Sequence, residues 1–440
     1  MGHADHETDQ TVCDVMEEFR TFLIELAKNL TSLLDIPEGV PNQWWSRIDE
    51  GSLYLNSKEY QQYHHILRKL MDSGRCDYLS ENHIDSALQD AVFEAVDISK
   101  RRNDDVTPRV QCALGKLNGL LNSPVIEYEC WVEIGGVDLT TQPIRFGEVQ
   151  FKTFRCDQIQ RLQEIIRIKH TAYQDEKIEA LEGKTSKSFL DKPFAIVKTK
   201  ARDAKYAMES GRKKVQTAIE LLNFFSGLVT GCNGWLYIAT HDAGKKIGRC
   251  FVLSENGDYN HNLSVGDPLG KFSIQNALES PGEIGDAVRQ LDNLLRSVTS
   301  EVDRIILTAF RWGGTATTAR SAEDSFLQFI VSLECLLLPE KFINKKRRRL
   351  SRRAAGLLSK DESEHKRFIS LIEDYYNLRS DIAHDGFHEV SESDLIKSRA
   401  IAKRLIVKVF LNNEARSCKT KSVYEEWLSR FENAEFSHTQ

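Results

Sequence analysis

The sequence predicts a multidomain α+β protein that is mostly helical, and three observations lead to this class. The chain has 440 residues, which is enough for two to four domains with sizeable cores. Over most of its length apolar residues recur at spacings of three and four, as in amphipathic helices. Between about residues 124 and 254, short runs instead alternate apolar and polar residues, as half-buried strands do.

Residues 1–122 are predicted to be an N-terminal helical region. The stretch VMEEFRTFLIELAKNLTSLL, from Val15, has apolar residues at helical spacing. Residues 37–45 interrupt the pattern with glycine, proline and two tryptophans, and helices resume at about 57–72 and 83–100. The polar segment RRNDD near residue 101 indicates a linker.

Residues 123–270 are predicted to be a central α+β domain. Strands are expected in VIEYECWVEI, IRFGEVQFKTF, FAIVKTKA, GWLYIAT and RCFVL, and helices at 157–182 and from about 203 to 226. A sensing or regulatory role is our hypothesis for this domain, because of its position beside the C-terminal domain. Residues 271–319 are predicted to be a helical connector, with helix over 275–310 and a glycine-rich break in RWGGTATTARS.

The sequence gives no sign of a cofactor or a metal ion. The dinucleotide fingerprint G-x-G-x-x-G after a strand, the phosphate-binding loop G-x-x-x-x-G-K-[ST] and a serine nucleophile elbow are all absent. His64 and His65 are adjacent, so on a helix they point about 100° apart and do not favour a shared metal. We therefore expect no cofactor and no metal site.

Residues 320–440 are predicted to be a helical bundle. Ser321 and Asp324 have the spacing of a capping box at the start of a helix. The helix itself, SFLQFIVSLECLLL, is apolar around nearly its whole circumference and should be buried. Glu334 is the one acid within it, and a buried acid needs a partner.

A basic run follows this helix. It has eight Lys and Arg and no acid between Lys341 and Arg353. Such a run binds phosphates through counterion release, so it predicts an RNA-binding surface. The alternative is a solvated helix face, since Leu350, Ala354 and Leu357 give the segment a buried side. The residues that we predict to bind RNA are Lys345, Lys346, Arg347, Arg348, Arg349, Arg352 and Arg353.

The next helix, FISLIEDYYNLRSDIAHDG from Phe368 to Gly386, contains the candidate catalytic residues. Arg379 falls inside its apolar stripe, where a guanidinium is costly unless it is paired. Glu334 is the obvious partner, either as a structural ion pair or as a group that orients the arginine. His384 follows five residues later, about 140° around an ideal helix. Arg379 and His384 can meet only if the helix end loosens or if a second copy of the chain faces it.

The residues RSDIAH, from Arg379 to His384, match the R-x4-6-H motif and resemble the HEPN superfamily (higher eukaryote and prokaryote nucleotide-binding). The order of apolar helix, basic run, short helix and YYNLRSDIAHDG is similar to its Apea-like branch. The resemblance covers about residues 320–412. It implies a bundle of four to five helices and a metal-independent ribonuclease that dimerises, with the Arg and His of both chains lining one cleft. Many catalytic members carry Asn, Asp or His directly after the arginine, whereas this chain has Ser380; Asp381 could supply the missing polar group.

The hypothesis from the resemblance is an endoribonuclease that acts as a toxin-like effector in antiviral defence. It would cleave RNA through the 2′-hydroxyl, with Arg379 and His384 catalytic and with Ser380, Asp381 and Glu334 supporting. Its partners would be RNA, a second copy bound through the C-terminal bundle, and a regulatory protein or phage-derived trigger. Two alternatives stay open: a non-catalytic HEPN module that binds RNA, a nucleotide or a partner protein as a scaffold, and a purely structural dimerisation bundle.

Charge and cysteine content bound the remaining possibilities. The net charge of −6 excludes general coating of nucleic acid, but residues 301–440 hold 24 Lys and Arg against 21 Asp and Glu. Nine cysteines are scattered without metal-binding spacing, which indicates free thiols in a reducing compartment. There is no apolar run of transmembrane length and no signal peptide, so we expect a cytoplasmic protein without a membrane partner.

Overall fold

A computed structural model describes residues 2–29, 43–47, 51–55, 57–73, 76–96, 107–139, 142–158, 160–161, 164, 190–229, 238–240, 250–254, 259–262, 272–319, 321–340, 345–385 and 389–432. The predicted coarse class is confirmed: the chain is mostly helical and contains a sheet. It divides into two compact units, the first made of residues 1–128, 199–210 and 252–260, and the second of 129–198, 211–251 and 261–440. The predicted boundary at 122/123 lies close to 128, whereas those at 270/271 and 319/320 fall inside the second unit.

The described residues of the first unit form four long helices and a pair of short strands. The helices are α1 (Gly2–Asn29), α2 (Ser57–Asp72), α3 (Glu81–Val96) and α4 (Thr107–Leu121). Their apolar faces form one buried cluster that includes Phe19, Ile66 and Leu88. The strands β1 (Gln43–Arg47) and β2 (Gly51–Leu55) are antiparallel, with Trp44 opposite Tyr54. Sequence analysis placed an interruption here but missed the strands.

Asp203 joins the starts of two helices within the first unit. Its buried carboxylate accepts hydrogen bonds from the backbone N–H of Ser80, at 3.1 Å, and of Tyr206, at 2.7 Å. The imidazole of His83 lies 3.7 Å from the same carboxylate. This contact raises the pKa of His83, and the hydrogen bonds outweigh burial so that the pKa of Asp203 is lowered.

The main sheet has the strand order β10-β9-β3-β7-β6-β5, with β8 paired to β3. Its strands are β3 (Ile126–Gly135), β5 (Ile144–Phe146), β6 (Val149–Thr153), β7 (Pro193–Ala201), β8 (Ala239–Thr240), β9 (Cys250–Ser254) and β10 (Tyr259–Asn262). The short strands β4 (Val137–Asp138) and β11 (Phe272–Ser273) pair in parallel. The pairs β5–β6 and β6–β7 are antiparallel, with Phe151 opposite both Ile144 and Ala195.

Two predictions for this region need correction or completion. IRFGEVQFKTF is not one strand but two, because the chain turns at Gly147, whose φ is +59°. A larger residue would not fit at this turn, since a Cβ there would lie 2.8 Å from Cβ of Leu295. Much of GWLYIAT and most of the predicted helix at 157–182 lie outside the described residues.

The helices that follow β7 supply the core of the second unit. They are α5 (Ala204–Phe224), α6 (Ile274–Glu279), α7 (Gly282–Arg296), α8 (Glu301–Thr317), α9 (Ala322–Leu337), α10 (Lys346–Leu358), α11 (Glu362–Asp385), α12 (Glu392–Leu411), α13 (Asn413–Ser417) and α14 (Lys421–Glu432). The hydroxyl of Ser321 accepts the Asp324 N–H at 3.0 Å, as the predicted cap requires. None of the described helices combines the length and apolar character that a lipid bilayer would require.

The glycine-rich break predicted in RWGGTATTARS is wrong, because α8 continues through Gly313 and Gly314 to Thr317. The two glycines instead allow α8 to pack closely on the second-unit end of α5. A Cβ on Gly313 would lie 2.7 Å from the ring of Phe224, and one on Gly314 would overlap the carbonyl oxygen of Glu220. Glycine is therefore used here for close helix packing rather than for a turn.

Lys403 is a buried cation that connects α12 to the chain just after α5. Its Nζ donates a hydrogen bond of 2.7 Å to the carbonyl oxygen of Ser226 and lies 5.6 Å above the ring of Phe224. Burial lowers the pKa of Lys403 from its ordinary 10.5 to about 7, and the nearby Arg399 adds to the effect.

The Lys403 ammonium should make stability depend on pH. In the folded chain it loses its proton near pH 7, whereas in the unfolded chain it keeps the proton up to pH 10.5. The unfolded state therefore binds more protons in this window, and the contribution of Lys403 to the free energy of unfolding should rise with pH by up to about 1.4 kcal/mol per unit. We expect Lys403→Met to abolish this rise when chemical denaturation is compared at pH 6, 8 and 9.5. Equal slopes for the two proteins would contradict the assignment.

Candidate active site

The helix α11 positions the candidate catalytic residues. It runs without interruption from Glu362 to Asp385, and its predicted apolar stripe faces the bundle: Ile372, Tyr375 and Ile382 are buried. The carboxylate of Asp361 accepts the backbone N–H of Glu364 at 2.8 Å and so caps the first turn. Arg379 lies within this stripe and is half-buried.

Arg379 is paired with Glu334 of α9. Nε of Arg379 lies 3.2 Å from Oε1 of Glu334, and the two side chains are 28% and 20% exposed. The two atoms are buried without a hydrogen bond, so the contact is an ion pair whose N–H is not aligned with the oxygen. Burial raises the pKa of Glu334, and the charges of Arg379 and Lys346 oppose that rise. The partner expected for Glu334 is thus the one that the fold supplies.

The terminal nitrogens of Arg379 remain available. Within the described part of the chain, neither Nη1 nor Nη2 forms a hydrogen bond, although Nε faces Glu334. A guanidinium that meets its partner at Nε keeps two terminal NH2 groups, which match phosphate or carboxylate oxygens. The arrangement can therefore accept an anionic group.

His384 lies in the last turn of α11 and is exposed. The helix does not loosen between Arg379 and His384, so the two residues leave one continuous helix about 140° apart. The structure thus does not bring them together within one chain. Between them, Ser380 is half-buried and Asp381 is exposed.

Three side chains from three helices interact electrostatically with Glu334 besides Arg379. The charge of Lys346, on α10, opposes the rise in the pKa of Glu334. Burial is the main cause that raises the pKa of Tyr376 and of Cys335, the latter to about 11, and the charge of Glu334 adds to both rises. Sequence reasoning missed Tyr376, although it precedes Arg379 by three positions and so shares its helix face.

The basic run divides into an outward and an inward group. Lys345, Lys346, Arg347 and Arg348 are exposed at the start of α10. Nη1 of Arg347 donates a hydrogen bond of 3.0 Å to Oδ1 of Asn377, which joins this turn to α11 beside the candidate site. The first turn contains no acid, and the N-cap residue Lys345, at φ 60°, makes no side-chain cap.

The inward group is held inside the bundle. Arg353 is fully buried, pairs with Glu425 and Glu432 of α14, and donates 2.7 Å from Nη1 to the carbonyl oxygen of Leu337. Arg349 lies 2.5 Å from Glu425 and 3.1 Å from Glu432. We had predicted both arginines to bind RNA, but burial and these pairs give Arg353 a structural role and commit Arg349 to α14. Arg352 is half-buried.

A metal site or a disulfide does not emerge from the described geometry. Where side chains are described, no group of three or more His, Cys, Asp or Glu is placed to hold a metal ion. None of the seven cysteines within those ranges forms a disulfide, and three of them, Cys76, Cys130 and Cys418, are buried. Comparisons of the chain with protein-family models, with curated proteins and with solved structures found no match.

The division of the basic run can be tested by stability. Arg353→Ala should lower the free energy of unfolding by about 3–5 kcal/mol, because it removes a fully buried guanidinium that pairs with Glu425 and Glu432 and leaves the half-buried Arg349 as their remaining partner in α10. The matched change Arg348→Ala removes an exposed arginine and should cost less than about 0.5 kcal/mol. Chemical denaturation of both variants measures the difference. If Arg353→Ala were as stable as Arg348→Ala, the buried pair would not hold α10 to α14.

Proposed function

We propose that the protein is a metal-independent endoribonuclease with a cleft shared by two copies of the chain, in which Arg379 binds the scissile phosphate and His384 transfers protons. The observation that carries this proposal is the half-buried guanidinium of Arg379, which meets Glu334 at Nε and has its terminal nitrogens available. The HEPN-like motif in which Arg379 and His384 stand supplies the reaction class.

The reaction would proceed by transesterification within RNA. The 2′-oxygen attacks the adjacent phosphorus and loses its proton to a base, while the bond from phosphorus to the 5′-oxygen breaks and that oxygen gains a proton. The products are a 2′,3′-cyclic phosphate and a 5′-hydroxyl. An imidazole that titrates near neutrality suits proton transfer, and a guanidinium stabilises the charge that gathers on the phosphate.

The start of α10 supports an anionic partner for this site. Cations near a helix N-terminus are unfavourable because they face the positive end of the helix dipole, yet the first turn of α10 carries Lys346, Arg347 and Arg348 and no acid. A phosphate chain along this turn would offset the repulsion. The contact between Arg347 and Asn377 places the turn against α11, so the same RNA strand would continue from this turn to Arg379.

A non-catalytic HEPN-like module is the second candidate function. It is favoured by the ion pair that already engages Arg379 and by the distance of His384 around the helix. Ser380, in place of the usual Asn, Asp or His, points the same way. Such a module would bind RNA, a nucleotide or a partner protein and cut nothing. As a ribonuclease, by contrast, the protein would act as a toxin-like effector in antiviral defence that the upstream residues restrain.

Cleavage assays with EDTA present test the enzymatic proposal. We expect the wild type to cut RNA and to leave 2′,3′-cyclic phosphate ends, and a substrate with a single 2′-deoxy position to resist at that position. Arg379→Ala and His384→Ala should each lower the rate by about 10²-fold or more. Arg367→Ala changes an exposed arginine of the same helix and serves as the control. Cleavage by His384→Ala at the wild-type rate would remove His384 from the mechanism.

Salt-dependent binding tests the RNA surface apart from catalysis. The probe is a fully 2′-deoxy-substituted strand, which the enzyme should bind but not cut. Changing Lys345, Arg347 and Arg348 together to Ala should weaken binding of this strand. It should also reduce the slope of log affinity against log salt by about 2, since each single-strand phosphate contact contributes about 0.7. The matched triple change of Lys397, Arg404 and Lys408 removes three exposed cations from α12. Equal slopes for the two triple variants would show that the start of α10 is not the RNA surface.

A further inference from the structure

A carboxylate at position 334 is energetically unfavourable, because its surroundings are mostly apolar. It is the only acid in the stretch SFLQFIVSLECLLL, and its side chain is 20% exposed. Neighbouring residues of α9, among them Ile330, Leu333 and Leu337, are buried apolar side chains. An apolar side chain would pack in this environment without the desolvation cost of a carboxylate. An acid at this position therefore suggests a role that depends on its charge and that an apolar residue could not fill.

The contact with Arg379 shows what that role is. Glu334 meets the guanidinium at Nε, which is the edge nearest the helix, and leaves the two terminal nitrogens at the far end. An arginine without this contact has four rotatable side-chain bonds and little reason to keep one direction. A carboxylate fixed by a buried helix removes much of that freedom before the substrate arrives.

The local charge balance also indicates an anionic substrate. Glu334 contributes one negative charge, and Arg379 and Lys346 contribute two positive charges close to it. One positive charge is therefore left without a counter-charge among these three groups. A phosphodiester at the terminal nitrogens of Arg379 would supply it.

We propose that Glu334 is a positioning residue, which holds the guanidinium of Arg379 with its terminal nitrogens turned toward the phosphate of RNA and does not touch RNA itself. This inference rests on the proposed ribonuclease function. In this proposal Arg379 and His384 contact the reacting groups, whereas Glu334 acts only through Arg379. It differs from a purely structural ion pair, in which the terminal nitrogens of Arg379 would have no part in the function.

Glu334→Gln is the informative change, because it preserves side-chain length and removes the charge. We expect the cleavage rate at saturating RNA to fall by about 10²-fold, as small misplacements of a catalytic group do, while KM changes less than about threefold. Glu334→Asp, which keeps the charge but shortens the side chain, should recover part of the rate. Glu362→Gln is the control, since Glu362 pairs with Lys366 at 2.7 Å on the exposed face of the same helix as Arg379.

A second measurement does not depend on cleavage. In the 15N-labelled protein, the Nε–Hε signal of Arg379, assigned by its loss in Arg379→Lys, should shift and broaden in Glu334→Gln and stay in place in Glu362→Gln. An unchanged signal, or wild-type cleavage by a folded Glu334→Gln protein, would overturn the positioning role. If the wild type cut no RNA but the signal still moved, the ribonuclease proposal would fail and the fixed guanidinium would stand.

Discussion

The arrangement of the C-terminal helices depends on the buried charge of Arg353. A guanidinium with no exposed surface must be neutralised inside the protein, and α14 supplies Glu425 and Glu432 for this purpose. The same side chain donates to the carbonyl oxygen of Leu337 at the end of α9. One arginine therefore joins α9, α10 and α14. Because Arg353 lies on the same helix as the exposed cations, these contacts also help to place the start of α10.

The start of α10 contributes the charged groups that lie beside the candidate site. Lys346 stands near Glu334, and Arg347 reaches Asn377, so the first turn of α10 lies against α9 and α11 at the position of Arg379. The basic run thus has two separate roles within 13 residues. Its inner arginines stabilise the bundle, and its outer cations create a positive surface beside a half-buried guanidinium. Both roles require cations, and for this reason composition alone could not distinguish them.

Much of this architecture follows from the sequence, and the exceptions have physical causes. Periodicity located α5, α9 and α11, and the costly acid and arginine in apolar stripes correctly suggested that Glu334 and Arg379 pair. The sequence could not separate the inward arginines, Arg349 and Arg353, from the exposed cations, because the acids that pair with them come from α14, more than 70 residues later. Gly313 and Gly314 were misread because the helix that needs their small size, α5, is equally remote. Periodicity and composition predict local structure, but they do not show which residues far apart in the sequence will contact each other.

The continuity of α11 bears on how the proposed site would be completed. Arg379 and His384 are separated by about 140° around the helix and about 7.5 Å along it, and the helix does not unwind to reduce either separation. One phosphate cannot easily meet both side chains of a single chain. A second copy related by a two-fold axis could present its own His384 to the first copy's Arg379, and by symmetry the reverse. His384 is exposed, as such a contact requires before assembly. If the protein is the ribonuclease that we propose, its cleft would therefore be shared by two chains, which is the arrangement that the HEPN resemblance implies.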